Sequence, residues 1–388
     1  MELETGLVAC LGAASGHLLN RETTSLWIAA CNGNADRVGI LLADARTDVN
    51  QAGNRGRTPL WIAARYGHAE CVAALLADAR TEVNQPDCNG STPLFIAASR
   101  SGKDHEQCVA ALLDDRRTDV NCVNGGGQTP LSTAVFYGRD WFVTALLTAK
   151  GIEVNQVDDC GRSPLWIAAS TGRKRCIAAL LVNPHTHVNC PDNTGATPLW
   201  IAAFYGHVQC AAILMTDPRT VVNHPCNHGQ TPLWIAARQG HEHCVTALLN
   251  GSRSVEVNQV DDNGQSPLFI AAKMGWELCM VALLRAGADA CLARHGGKTP
   301  LDIARERGQG NCVASLVVLR MPWTLGFGGS LKTMPGWIKD RAVMAILCLR
   351  YHKLPLEIID AILSLCAACP QLSPTRTSAA AGLSMAAS

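Results

Sequence analysis

The sequence predicts an all-α solenoid of helix pairs with projecting hairpin loops, followed by a short C-terminal helical hairpin. Three observations carry this prediction. A heptapeptide returns nine times, as TSLWIAA at Thr24, TPLWIAA at Thr58, TPLFIAA at Thr92, TPLSTAV at Thr129, SPLWIAA at Ser163, TPLWIAA at Thr197 and Thr231, SPLFIAA at Ser266 and TPLDIAR at Thr299. The intervals are 34, 34, 37, 34, 34, 34, 35 and 33 residues, the range of a helix-pair repeat. Within each interval apolar residues recur at helical spacing, and a glycine stands two residues before nearly every restart.

Residues 1–22 precede the first copy, and their "LETGLVACLGAASGHLLN" is read as a degenerate N-terminal cap, because exposed terminal repeats need cover. Glu2, Glu4 and the Gly and Ser interruptions make this stretch a poor secretory signal. Residues 23–320 hold the nine repeats. Each opens with a Thr or Ser whose hydroxyl caps a helix, and most follow it with a proline preset for the first turn. In repeat two, Leu60, Ile62, Ala63 and Ala64 make the first helix apolar almost all round, so neighbours must cover it on both sides. Gly67 ends that helix, and Cys71, Val72, Leu75 and Leu76 form one stripe of a second. "EVN" at Glu82 and a turn ending in Gly90 lead to the next repeat, with equivalent glycines at 56, 127, 161, 195, 229, 264 and 297.

This pattern resembles the ankyrin repeat, in which a Gly-containing turn, TPL, paired Ala, a Gly-His turn, a Leu-Leu helix and Asp-Val-Asn follow in the same order. The resemblance spans roughly three quarters of the chain. Two departures stand out. Trp or Phe replaces the family's usual His after TPL in most copies, and most repeats carry one extra residue between the second helix and Val-Asn, where only "RAGADA" of repeat eight keeps the family form. The last repeat, "TPLDIARERG", replaces a buried Ala with Arg305 and adds Asp302, Glu306 and Arg307, as a capping repeat would.

Eighteen cysteines invite a disulfide framework, but Cys71, Cys108, Cys176, Cys210, Cys244, Cys279 and Cys312 occupy one slot of the second helix. That slot suits a small buried side chain, and reduced Cys fills it. Cys88, Cys160 and Cys226 fall near hairpin tips and are expected to be accessible. Lys plus Arg number 33 against 32 Asp plus Glu, so no net field draws the chain to nucleic acid or an anionic membrane. No apolar run is long enough to span a bilayer, and the reading is a monomer in the cytoplasm or nucleus.

The family resemblance implies a non-enzymatic module that binds a protein partner along a concave face. Its variable positions map to the residue before each Thr and to the two residues before the glycine that ends each first helix. In the first half of the array these are Arg57, Arg65, Tyr66, Phe136, Tyr137 and Arg162. Farther on they are Phe204, Tyr205, Gln230, Arg238, Gln239, Lys273 and Met274. Aromatic residues and Arg are enriched at binding hot spots, although a Phe or Tyr also fills gaps between helices. The recurring Trp27, Trp61, Trp166, Trp200 and Trp234 are assigned to the stacking interface, which is the same in every repeat, rather than to a ligand ladder. Repeat four breaks the pattern with "TPLSTAV" after "NGGGQ", the place for a hinge, and repeat three adds three residues in "SRSGKDHEQ", read as a longer turn between its helices.

No phosphate loop, metal signature or nucleophile motif stands apart from the repeat, and the chain is read as using no cofactor. Cys348, His352, Cys366 and Cys369 have zinc-like types, but both pairs fall on expected helices, where Cys is commonly core. Residues 321–338 read as a connector, 339–369 as a helical hairpin and 370–388 as a disordered tail. The Leu-Pro of "LPLEIIDAIL" is similar to the start of an F-box and to a SOCS box, which dock a cullin-type ubiquitin-ligase adaptor. That resemblance implies adaptor contacts from Leu354, Pro355, Ile358, Ile359, Ile362 and Leu363, and the alternative is a hairpin packed on the last repeat.

Overall fold

The computed structural model describes residues 24–251 and 254–319. The expectations made for the N-terminal cap, the connector, the C-terminal hairpin and the tail, including Leu354 to Leu363 and the zinc-like Cys348 set, lie outside the described residues. Eighteen α-helices occur among the described residues, with no strand. The chain forms two compact parts, one through Asn263 and one from Gly264.

In the first part the opening helices of successive repeats are Ser25–Cys31, Pro59–Tyr66, Pro93–Ala98, Pro130–Tyr137, Pro164–Ser170, Pro198–Tyr205 and Pro232–Gln239. Their partners are Ala35–Leu42, Ala69–Ala77, Lys103–Asp114, Asp140–Thr148, Lys174–Val182, Val208–Thr216 and Glu242–Leu249. First helices pack on first helices and second on second along this series, and each pair packs on itself. The second part repeats the scheme with Pro267–Met274, Glu277–Arg285, Pro300–Glu306 and Gly310–Leu319.

Each first helix begins as its sequence requires. All nine Thr or Ser side chains accept a hydrogen bond from the backbone N–H three residues on, as Thr58 does from Trp61 at 3.1 Å. Such a cap satisfies an N–H that has no carbonyl partner within the helix. Leu60, Trp61, Ile62, Ala63 and Ala64 are each at most 1% exposed, because the repeats before and after cover opposite sides of the helix. Gly67, Gly138, Gly206, Gly240 and Gly275 close five of these helices in the left-handed conformation.

Side chains then stitch each repeat of the first part to the next. The indole N–H groups of Trp27, Trp61, Trp166 and Trp200 donate to the carbonyls of Arg57, Ser91, Ala196 and Gln230, each 30 residues ahead, at 2.9–3.0 Å. Trp is therefore a structural choice: its bulk fills the interface and its one donor finds a buried acceptor. Four of the five are buried, and Trp200 is partly exposed with Phe204 stacked on it at 5.6 Å. In the opposite direction His68, His105, His207 and His241 hold the ends of the preceding first helices through Nε2 and the carbonyls of Cys31, Arg65, Ser170 and Phe204 at 3.0–3.1 Å. The Val-Asn asparagines bind the following repeat twice: Asn50 Nδ2 donates to the Arg80 carbonyl at 2.8 Å, while its Oδ1 accepts from Glu82 N–H at 2.8 Å. Asn84, Asn121, Asn155, Asn189 and Asn223 do the same.

The extra residue after the second helix makes room for a clamp. Arg80, Arg117 and Arg219 each pair with the aspartate two residues earlier at 2.6 Å and donate to a carbonyl near the end of the previous repeat's second helix, those of Leu42, Leu76 and Leu181. The guanidinium thus satisfies acceptors that the helix terminus leaves open. The hydrogen bonds from Arg80 and Arg117 hold the Asp78 and Asp115 carboxyls below the usual carboxylate range. A depressed folded pKa contributes stability above the unfolded value, near pH 4, and loses it as pH falls through the folded value. Replacing Asp78 and Asp115 together by Asn is therefore expected to lower stability at neutral pH and to flatten its decline below about pH 4. Urea titrations at a series of pH values check this, and a decline as steep as that of the unaltered chain would exclude the clamp as the cause.

Repeat three departs from the expectation of a longer turn. Its second helix, Lys103–Asp114, has 12 residues where that of repeat two has 9, and its first helix, Pro93–Ala98, stops after 6 where that of repeat two has 8. Most of the insertion is helical: His105 aligns with His68, and the added Lys103 and Asp104 ahead of it open the second helix, with Asp104 and Glu106 in the favourable first turn. In repeat four the segment expected to hinge has the turn of its neighbours: Asn124 N–H donates to the Gln128 carbonyl at 3.0 Å, and Asn124 Oδ1 accepts from Gly126 and Gln128. Ser132 makes a reciprocal capping box with Thr129.

The hairpins show why glycine recurs before each Thr. Gly195 has φ 80°, and a Cβ there would stand 2.7 Å from the backbone nitrogen of Asn227 in the next hairpin, so both conformation and space demand glycine. The corner residue matters as much: Asp87, Asp158 and Asp192 each use Oδ1 to accept two backbone N–H groups of their own turn.

Candidate partner-binding face

The positions assigned to partner contact lie at the ends of the first helices and at the roots of the hairpins, and the structure divides them. Tyr66, Tyr137 and Tyr205 close the first helices of repeats two, four and six and are 43%, 45% and 52% exposed. Each occupies the same place in its repeat. Phe136 is exposed beside Tyr137, with their rings edge to face at 5.2 Å. Phe204 is half-buried between Trp200 and Tyr205, so part of its surface serves packing.

The arginines on this face lie over the buried indoles. Arg57 lies 4.7 Å and Arg65 5.6 Å above the Trp61 ring, Arg162 5.8 Å from Trp166 and Arg238 5.9 Å from Trp234. Stacking fixes each guanidinium plane and covers the outer face of the ring. Arg162 is further engaged by a 2.7 Å ion pair with buried Asp158, which places it in the hairpin structure. Gln230 and Gln239 are half-buried at the same repeat positions. In the part from Gly264, Lys273 is half-buried and Met274 exposed, closing the helix Pro267–Met274.

Between repeats three and four this face opens into a groove of about 770 Å³. Phe95, Ile96, Phe136 and Tyr137 give it apolar and aromatic walls; Ser99, Arg100, His105, Gln128, Thr133 and Arg139 contribute the main polar groups. The local sequence explains the opening. Phe95 stands in the tryptophan slot, the short helix Pro93–Ala98 ends early, and Thr133 replaces the isoleucine found at Ile62, Ile96 and Ile167. No Asp or Glu lines the groove. The Thr133 side chain is 5% exposed and its hydroxyl has no hydrogen-bond partner, a state that costs about 1–3 kcal/mol for a buried polar group. The Nε atoms of Arg100 and Arg139 are likewise buried and unpartnered, and neither guanidinium has a carboxylate partner among the described residues.

Sequence reasoning missed Arg100, Thr133 and Arg139. Arg100 lies eight residues after its Thr, where Tyr66, Tyr137 and Tyr205 stand in their repeats, and it also stands two residues before Gly102. Repeat three has Ser99 and Arg100 there, with its glycine displaced to Gly102. Counting forward from Thr92 or back from Gly102 reaches it alike.

One accessibility expectation is corrected. Cys88 and Cys160 are exposed, but Cys226 is buried at 7%. It occupies the hairpin corner held by Asp87 and Asp158 elsewhere, where the side chain turns inward, and its N–H closes the turn on the Gln230 carbonyl at 3.0 Å. The tip residues are the next ones along.

A family model for ankyrin repeats, three copies to the model, matches residues 6–87, 75–158, 147–224, 165–261 and 216–294. The chain belongs to the ankyrin-repeat family. No curated protein shows a match to it. Ankyrin repeats are protein-protein interaction modules and generally not catalytic. Among the described residues no group of His, Cys, Asp and Glu is placed to hold a metal ion, and no helix is long and apolar enough to cross a membrane.

Proposed function

We propose that the protein binds a partner protein along the first-helix and hairpin face of the part through Asn263, with Tyr137 and Tyr205 as principal contacts. The observation that supports this is the exposure of large aromatics at one repeat position. Most repeats bury their Leu, Ile and paired Ala, yet Tyr66, Tyr137 and Tyr205 stand in solvent at helix ends where no stacking role requires them. Tyr supplies broad contact area with little loss of rotamer freedom and keeps a polar tip, which suits a surface that must be soluble alone. Recruitment of a ubiquitin-ligase adaptor through Leu354 to Leu363 is a separate proposal that rests on the C-terminal sequence alone.

Replacing Tyr137 and Tyr205 together by Ala is expected to weaken partner affinity by about tenfold or more, since a central aromatic anchor commonly contributes over 1 kcal/mol. The melting temperature should stay within a few degrees, because both side chains are exposed. The measurement is affinity purification with the unaltered chain, followed by titration of the recovered partner against both forms. Equal affinities would exclude the two tyrosines as principal contacts.

A further inference from the structure

We infer that the groove between repeats three and four is an anionic subsite that receives an Asp or Glu side chain from an extended acidic segment of the partner protein. This inference rests on the partner-binding reading above and specifies the partner's chemistry at one place. Its support is the mismatch between the groove and the rest of the array. Elsewhere in the first part Arg80, Arg117, Arg162 and Arg219 each hold an aspartate; Arg57 also has a buried, unpartnered Nε, but its guanidinium lies on the Trp61 indole. In the groove Arg100 and Arg139 carry buried, unpartnered Nε atoms, and no acidic side chain is among the lining residues. Arg139 also lies 5.9 Å from the Tyr137 ring, which holds its guanidinium at the wall.

Thr133 is the independent observation. An isoleucine at this position packs without cost in repeats two, three and five, as Ile62, Ile96 and Ile167 show. Repeat four instead buries a hydroxyl that bonds to nothing in the protein. A hydroxyl can donate, and a carboxylate entering the groove would accept from it while pairing with the two guanidinium groups. The aromatic walls of Phe95, Phe136 and Tyr137 lower the local polarity and strengthen that pairing. The groove is open on one side and flanked by the exposed Phe136 and Tyr137 rings, so an extended segment can lay one acidic side chain inward and apolar neighbours on the rings.

The test is selection of random dodecapeptides displayed on phage against the full chain, followed by fluorescence-anisotropy titration of the enriched peptides. The expected result is enrichment of peptides containing Asp or Glu. Arg100→Glu with Arg139→Glu should weaken these peptides by about tenfold or more, since like charges are then opposed. Thr133→Val keeps the shape and removes the hydroxyl. It should weaken binding about three- to tenfold while leaving the melting temperature unchanged or raised. Enriched peptides without acidic residues, affinity unaffected by charge reversal in a chain whose circular dichroism is unchanged, or Thr133→Val losing stability without losing affinity would each overturn the subsite. A phosphoserine version that binds more tightly than its glutamate parent would overturn the carboxylate assignment. If the Arg variants bind the natural partner normally while Tyr137→Ala with Tyr205→Ala does not, the face stands and the subsite falls; the reverse result rejects the tyrosines alone.

Discussion

Replacing Trp61 by Ala is expected to destabilise the first part of the chain by about 3–5 kcal/mol, among the largest effects of any single substitution. Trp61 is 1% exposed and heads the fully buried side chains by size, so its removal leaves a void between repeats two and three that backbones held at both ends cannot close. It also donates to the Ser91 carbonyl at 2.9 Å. Because each repeat is stabilised by its neighbours, the damage should spread beyond one helix pair, and hydrogen exchange should rise across repeats one to three before it rises in repeats five to seven. Trp61→Phe separates the two contributions. Phe already occupies this slot as Phe95 and Phe269, and the Ser91 carbonyl keeps its bond from Asp87 N–H at 3.0 Å, so only about 0.5–1.5 kcal/mol should be lost. Urea denaturation of the two variants measures the difference. If they proved equally destabilised, the hydrogen bond and not the volume would be the dominant contribution.

That slot also shows where the amino-acid sequence was enough to read the fold and where it was not. Periodicity identified the capping Thr, the buried heptapeptide and the hairpin glycine because each repeats for the same physical reason, and a residue demanded nine times is visible as a pattern. Assigning the tryptophans to the stacking interface followed from that logic, but their bond to a carbonyl 30 residues ahead did not, since the acceptor is backbone and carries no side-chain signature. The same is true of Arg80, Arg117 and Arg219, whose acceptors are carbonyls of the preceding repeat. The extra residue in each repeat was legible as an insertion, and its use as an Asp-Arg clamp was not. The groove was missed for the opposite reason. Arg100, Thr133 and Arg139 are departures from the repeat, and only the stacking of repeat three on repeat four brings them to one cavity. Cys226 misled through register: one residue along a five-residue turn separates an inward corner from an exposed tip.

The second large effect is in thiol chemistry, where native protein should label at Cys88 and Cys160 far faster than at Cys108 or Cys176. The thiolate is the reactive species, so both burial and pKa act on the rate. Burial pushes the Cys108 and Cys176 thiols up to about 12, with Asp104 and Asp140 adding to the shift. At pH 8 a thiol of pKa near 12 is ionised to only ~10⁻⁴, against roughly a quarter for an ordinary cysteine, which alone predicts a difference of about a thousandfold. The thiols of Cys71, Cys210, Cys244 and Cys312 are raised in the same way, those of Cys244 and Cys312 to about 11, and each side chain is at most 2% exposed. The neighbouring copies do not form disulfides in the structure, although Cys210 and Cys244 occupy equivalent places in adjacent helices. Iodoacetamide labelling mapped by mass spectrometry should therefore mark Cys88 and Cys160 within the first time points, leave Cys226 with the slow group, and release the helical set only when denaturant unfolds the stack. Raising the pH should continue to speed any slow site that reacts without unfolding. Rapid native labelling at Cys176, Cys210 and Cys244 would mean that the second helices expose the face assigned to packing, and the inter-repeat interface would have to be rebuilt on the opposite stripe.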